Sequence, residues 1–337
     1  MKSAIARLTL RGRVELEDYP VDAAWSADGN ALVVALGGGA IVMARIDDGV
    51  RASRIGGHDG GALAVAWQKA GNSFASSGQD GAVLLWDYRT LTSRSIHSGK
   101  EWSEQLAFAD NGRLLAVATG RTLRLFDGSG ALRGCFESHP GVIAALAWRP
   151  KSPEIAAAGN GGMRIHRIEP ETQSRDYPWR GACLSARWNA DGRILAAGMQ
   201  DGSVHLWYVA SGTESQMQGY GSKVGAIDWS GNGRYLATAA GTSLIVWDFG
   251  GKGPEGSHPL ELRSHSERIT ALACRPSGAW LVSAARDRRL LLWRLGAGDA
   301  PQDAQLLSDE CTVLRYSRSG ERLAACDARG GLSIFDC

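Results

Sequence analysis

The sequence predicts an all-β fold, a β-propeller of small four-stranded sheets, and three observations predict it. One phrase returns eight times along the 337 residues at a near-constant spacing. The apolar segments inside it run only five to seven residues and end in glycine-bearing turns. No stretch sustains the 3.6-residue period of an amphipathic helix.

The phrase is an apolar strand closed by a large residue, a turn, a short Leu-Ala strand, a second turn, and a strand ending in Trp or Phe. The closing residues are Trp25, Trp67, Phe108, Trp148, Trp188, Trp229, Cys274 and Tyr316, separated by 42, 41, 40, 40, 41, 45 and 42 residues. Seven of the following turns end in Gly, from Gly29 and Gly71 to Gly320. Glycine there supplies the positive φ of a tight hairpin turn. The fourth copy reads Pro150-Lys151-Ser152-Pro153 and needs another geometry. Runs such as Leu32–Leu36 and Leu114–Ala118 suit strands buried on both faces. A four-stranded unit of about 40–45 residues is a propeller blade.

Eight copies imply eight four-stranded blades; seven is the alternative. The last copy stops after its third strand. The alternating segment Ile5-Ala6-Arg7-Leu8-Thr9-Leu10 is expected to supply the fourth, beside Leu332–Phe335. Such a clasp between the chain ends removes two unpaired sheet edges.

The composition narrows the function. There are 37 basic and 35 acidic residues, and the apolar share is 44%. A near-neutral balance gives no electrostatic reason to expect nucleic acid. No apolar run reaches membrane-spanning length, and Arg7 and Arg11 interrupt any signal-peptide core. The six cysteines then read as buried thiols in a reducing cytoplasm. Neither Cys-x-x-Cys nor a phosphate loop followed by a helix is present, so no metal, cofactor or catalytic residue is expected.

Trp86-Asp87 and Trp247-Asp248, with the conservative forms Phe126-Asp127 and Phe335-Asp336, make the chain resemble the WD-repeat family. The likeness runs from about residue 4 to the end, as one propeller domain over 1–337. The resemblance implies a blade staple of His, Ser, Asp and Trp hydrogen-bonded in series. Two full sets are present: His58, Ser76, Asp80, Trp86 and His265, Ser283, Asp287, Trp293, at identical offsets of 18, 4 and 6 residues. A Ser-His-Asp set also invites a catalytic reading, but one that returns at fixed offset in a repeat reads as structure.

The resemblance also implies that partners bind the face bearing the loops that lead into each first strand and the turns before each third strand. Of the 12 Trp, Trp102 and Trp179 fall in such leading loops, as do Tyr19 and Tyr220. Arg180 and Arg268 lie beside them, and Gln79, Gln200 and Arg286 precede the turn aspartates or their equivalents. Aromatics and arginines ringed by polar groups describe an interaction hot spot. The other reading folds Trp102 and Trp179 back to cap blades that lack the His. The expected function is a non-enzymatic scaffold or adaptor, monomeric by itself, for a protein or peptide partner. The alternative is a small-ligand or enzymatic propeller using the central channel, with Glu104 as a candidate inward group.

Overall fold

The computed structural model describes residues 7–168, 172–251, 253, 254 and 256–337. Every regular element among them is a strand. Each copy begins with an inner strand, and these eight first strands touch in sequence order, the last meeting the first. Among the described residues the buried apolar side chains form no central core. Buried apolar side chains divide instead into eight clusters, each between neighbouring copies. This explains the near-continuous apolar strands: Ala31–Leu36 is buried at every position because both of its faces meet another sheet.

The strands make seven sheets, six of four strands and one of six. Counting each sheet as a blade, the propeller has seven blades, the alternative count. The expectation of eight separate four-stranded blades is corrected accordingly, because copies four and five share one sheet. Glu154–Arg167 runs through the Gly-rich turn of copy four without a break, and Gln173–Trp188 is the outer strand of copy four and then the inner strand of copy five. The joined sheet is folded. Ile168 N–H donates to Pro153 O at 2.9 Å, whereas a straight strand of that length would part its ends by about 40 Å. That bond folds copy four back on itself, and Ala156, Met163, Ala186 and Trp188 pack between copies four and five.

Turn chemistry follows the residues. Gly29, Gly112, Gly192, Gly233, Gly278 and Gly320 have φ between 68° and 76°. Copy four uses Lys151 at φ 57° instead. Gly71 does not take a positive φ, a departure from the expectation for its turn. Seven of the eight first strands carry a register shift near their start, as at Pro20/Asp22 and Ala62/Ala64. A bulge at that point adds local twist.

The ends of the chain meet in the last sheet, whose order is Thr9–Glu15, Gly331–Asp336, Arg322–Asp327, Cys311–Tyr316. The clasp lies later than Ile5–Leu10: Ile5 and Ala6 are outside the described residues, and only Thr9 and Leu10 are shared with the expected segment. Pairing begins at Thr9↔Asp336 and ends at Glu15↔Gly331. Leu8 is buried against copies seven and eight, and Val14 packs against the core between copies eight and one. Arg11 Nε reaches Asp336 Oδ1 at 2.9 Å, and Arg13 lies 3.6 Å from buried Asp327. Across the seam, Trp25 Nε1–H donates to Arg315 O at 2.9 Å. The same bond recurs as Trp148 to Ala107, Trp188 to Ala147 and Trp229 to Arg187. In these four copies the closing Trp thus ties its copy to the one before.

A chain begun at Leu16 is expected to lose the clasp, expose the Gly331–Asp336 edge and aggregate. Size-exclusion chromatography checks this; a folded monomer with the full-length melting temperature would contradict it.

Candidate functional site

In copy two, Trp86 Nε1–H donates to Ser76 Oγ at 2.9 Å, the Ser76 hydroxyl donates to His58 Nε2 at 2.8 Å, and His58 Nδ1–H donates to Asp80 Oδ1 at 3.1 Å. Copy seven repeats the series through Trp293, Ser283, His265 and Asp287 at 2.8, 2.8 and 3.0 Å. The network fixes the tautomer, since Nδ1 must carry the proton. Burial holds the His265 imidazole below its ordinary pKa. Burial would raise Asp287, but N–H donors from Arg289 and His265 outweigh it and hold the carboxyl low. The triad-like set is enclosed: both serines and both imidazole rings are buried, and no nucleophile is presented to solvent.

The staple follows the indole. An indole N–H is a donor that burial obliges to find an acceptor. Copies one, three and eight have Ala44, Phe126 and Phe335 in that place and present no such donor. Copy six keeps Trp247, and Tyr220 takes the part of His: Trp247 Nε1–H donates to Tyr220 Oη at 2.8 Å, and Tyr220 Oη lies 3.0 Å from Thr238 Oγ1. Tyr220 and Thr238 are 18 residues apart, as are His58 and Ser76. That offset is the signal that could have placed Tyr220 in the staple. Its hydroxyl is committed there, so Tyr220 is corrected from partner contact to blade staple.

Copy four replaces the indole with His166, whose Nε2 lies 3.0 Å from Nε2 of His139 and whose Nδ1 meets Ser174 Oγ at 2.8 Å. Copy five is the exception. Trp179 packs edge-on against His205, and His205 stacks on Trp207, each at 4.2 Å between ring centroids. Neither indole N–H has a hydrogen-bond partner. Trp179 therefore folds back into its blade, the capping reading, and is corrected as an exposed anchor.

Trp102 stands out instead, at 50% exposure, and Tyr19 at 48%. Gln79, Arg180, Gln200, Arg268 and Arg286 are exposed as well. One repeated backbone bond carries several of them to a common face. Gln79 N–H donates to Gly61 O, Gln200 to Ala182 O, Arg286 to Arg268 O and Gly37 to Tyr19 O, at 2.8–2.9 Å. Arg286 Nε also pairs with Glu310 Oε2 at 2.7 Å.

Where the turn aspartate is glycine, a leading-loop side chain leans into its place. Gly38 N–H donates to Asp18 Oδ2 at 2.5 Å, and a Cβ on Gly120 would lie 2.8 Å from Glu101 Oε2. Asp18 holds its own turn before it meets any partner, and Glu101 lies against its own. Among the described residues no group of three or more His, Cys, Asp or Glu is placed to hold a metal, and no helix is long and apolar enough to cross a membrane.

This geometry defines a β-propeller of tandem repeats, four of which keep a third-strand Trp. The WD domain, G-beta repeat model matches residues 49–87, 178–208, 212–248 and 256–294, segments that end on those four Trp-bearing strands. Those four segments are WD repeats.

The chain's sequence is 21% identical over 289 residues to WD repeat-containing protein slp1 of Schizosaccharomyces pombe, covering 83% of this chain and 51% of that one. It is 25% identical over 294 residues to anaphase-promoting complex subunit cdc20 of Dictyostelium discoideum, covering 83% and 49%. Protein FIZZY-RELATED 1 of Arabidopsis thaliana is 26% identical over 313 residues, covering 88% and 62%. The chain thus spans about half the length of the first two relatives. Among solved structures, the computationally designed Ika8 protein superposes with a TM-score of 0.81 at 19% identity, covering 98% of this chain and 100% of that one. That likeness shows the fold.

Two outcomes are expected. Ser283→Ala leaves the Trp293 indole N–H unsatisfied and is expected to cost about 2–4 kcal/mol in urea unfolding; a loss under about 0.5 kcal/mol would contradict the staple. The second concerns pH. Burial, with Arg164 and then Arg121 nearby, pushes His139 down to about 4, and burial with His139 and Arg164 pushes His166 down to about 3. The unfolded chain takes up these protons near its ordinary histidine pKa, before the folded chain does. Stability is therefore full above that value and is lost as pH falls toward 4 and then 3. For His139 alone the loss reaches about 3 kcal/mol. Replacing the pair (His139→Leu with His166→Phe) is expected to flatten the profile between pH 6.5 and 4; an unchanged slope would contradict this assignment.

Proposed function

We propose that this chain is a non-enzymatic scaffold or adaptor that binds a protein or peptide partner through the leading-loop face. The observation that carries the reading is the pair of half-exposed aromatics, Tyr19 and Trp102, on a face whose other loops present Gln79, Arg180, Gln200, Arg268 and Arg286. Rigid sheets hold such loops in place, and loops of this kind carry recognition. One relative is named as an anaphase-promoting complex subunit and another, Cell division cycle 20.4 of Arabidopsis thaliana, as a cofactor of APC complex, which supports work within a multiprotein assembly. The whole propeller, 1–337, acts as one domain and is a monomer until it meets that partner. Six free thiols suit the reducing cytoplasm.

Affinity capture from the source organism tests the reading. Tyr19→Ala with Trp102→Ala is expected to lose the captured partner while the melting temperature moves by no more than about 2 °C, as surface changes do. Trp179→Ala is expected to lower the melting temperature and leave capture intact while the protein is folded. An unchanged set of captured proteins from the double variant would overturn the assignment of the face.

A further inference from the structure

The seam between copies three and four is built differently from its neighbours. The residue just after the closing residue of a first strand is Gln68 in copy two and Arg149 in copy four. Gln68 Nε2–H donates to Gly112 O and Arg149 Nε–H donates to Gly192 O, each at 2.7 Å, so each side chain bridges to the turn of the next copy. Copies one, five, six and eight have Ser26, Asn189, Ser230 and Ser317 there, and these accept from the backbone of their own second strand. Copy three has Ala109, whose methyl can do neither. A cavity of about 450 Å³ opens beside it, walled by the turns of copies three and four.

Trp148 shows the consequence. The closing tryptophans Trp25, Trp67, Trp188 and Trp229 are buried, whereas Trp148 is only half-buried. Its Nε1–H is spent on Ala107 O, and with Leu114 and Pro153 it gives the cavity an apolar wall. Three charges line the same cavity: Asp110, Arg113 and Lys151. Asp110 is paired with Lys69. The side chains of Arg113 and Lys151 are exposed and make no hydrogen bond or ion pair with any described residue. The uncompensated charge is therefore positive, and it sits next to an apolar surface.

We propose that this cavity is a second docking site, for an acidic peptide segment whose carboxylates pair with Arg113 and Lys151 while a neighbouring apolar or aromatic side chain packs on Trp148. The guanidinium fork suits a carboxylate, and a ring set against the indole gains more than its buried area alone. The volume is that of an ordinary ligand pocket. The cavity lies at the closing ends of the first strands, away from the leading loops, so it is independent of the partner face.

The probe is a short fluorescein-labelled peptide with one phenylalanine flanked on each side by aspartate, titrated with the full-length protein and read by fluorescence polarisation. Saturable binding with a dissociation constant of about 0.5 mM or tighter is expected, weakening as salt is added. The same peptide with asparagine for aspartate is expected to bind at least about fivefold more weakly. Arg113→Gln with Lys151→Gly is expected to weaken binding about tenfold, the worth of two exposed ion pairs. Glycine accepts the φ of 57° at Lys151, so this variant keeps the turn. Ala109→Gln places in the gap the side chain that copy two carries at this position and is expected to abolish binding. Arg193→Gln, which changes the corresponding exposed arginine of copy five, is expected to bind as wild type, as is Tyr19→Ala with Trp102→Ala. No saturable binding, equal binding of the asparagine peptide, or wild-type affinity in Arg113→Gln with Lys151→Gly overturns the proposal. Loss of binding in Tyr19→Ala with Trp102→Ala moves the peptide to the leading-loop face and overturns it too. Should Ala109→Gln fail to fold, Arg113→Gln with Lys151→Gly decides it.

Discussion

Closure of the ring by the two ends of the chain is the constraint on which the other contacts depend. Each apolar cluster lies between neighbouring copies, so every sheet needs a neighbour on both faces. A row of such sheets would leave two of them half exposed. Joining Thr9–Glu15 to Gly331–Asp336 and docking Trp25 onto Arg315 completes the last seam. The long sequence separation of these contacts makes the seam entropically costly to form, and buried Leu8 together with the ion pairs of Arg11 and Arg13 helps to offset that cost.

Within each blade, the polar architecture answers to a single donor. A third-strand Trp brings a buried N–H, and copies two, six and seven satisfy it through Ser or Tyr hydroxyls. Copies with Ala or Phe in that place have no such donor to satisfy. Copy five leaves Trp179 and Trp207 unsatisfied and relies on an aromatic stack. Stability is therefore unevenly distributed around the wheel, and loss of the staple in some copies leaves their loops free to vary.

Much of this was legible in the residues. The period and the short buried strands follow from spacing, because each copy solves the same packing problem with the same offsets, and the two complete staples follow from the resemblance to the WD-repeat family. The clasp was legible as a need for a fourth strand. Its register was not, since Leu8 and Val14 serve two different cores and the alternation before Leu8 resembles that after it. Seven sheets in place of eight blades arise from a local detail: Gln173–Trp188 runs without a break from the outer strand of copy four into the inner strand of copy five. Tyr220 and Trp179 looked like surface anchors because loop aromatics are ambiguous until the neighbouring donor is counted.

The most direct test of ring closure is native-state hydrogen exchange of the backbone amides in Thr9–Glu15 that pair with Gly331–Asp336. If the terminal strand closes the wheel, these amides exchange only through global unfolding, with protection equal to that of the buried second strand Ala31–Leu36. Exchange at the rate of a frayed terminus, with the inner strands still protected, would contradict the account.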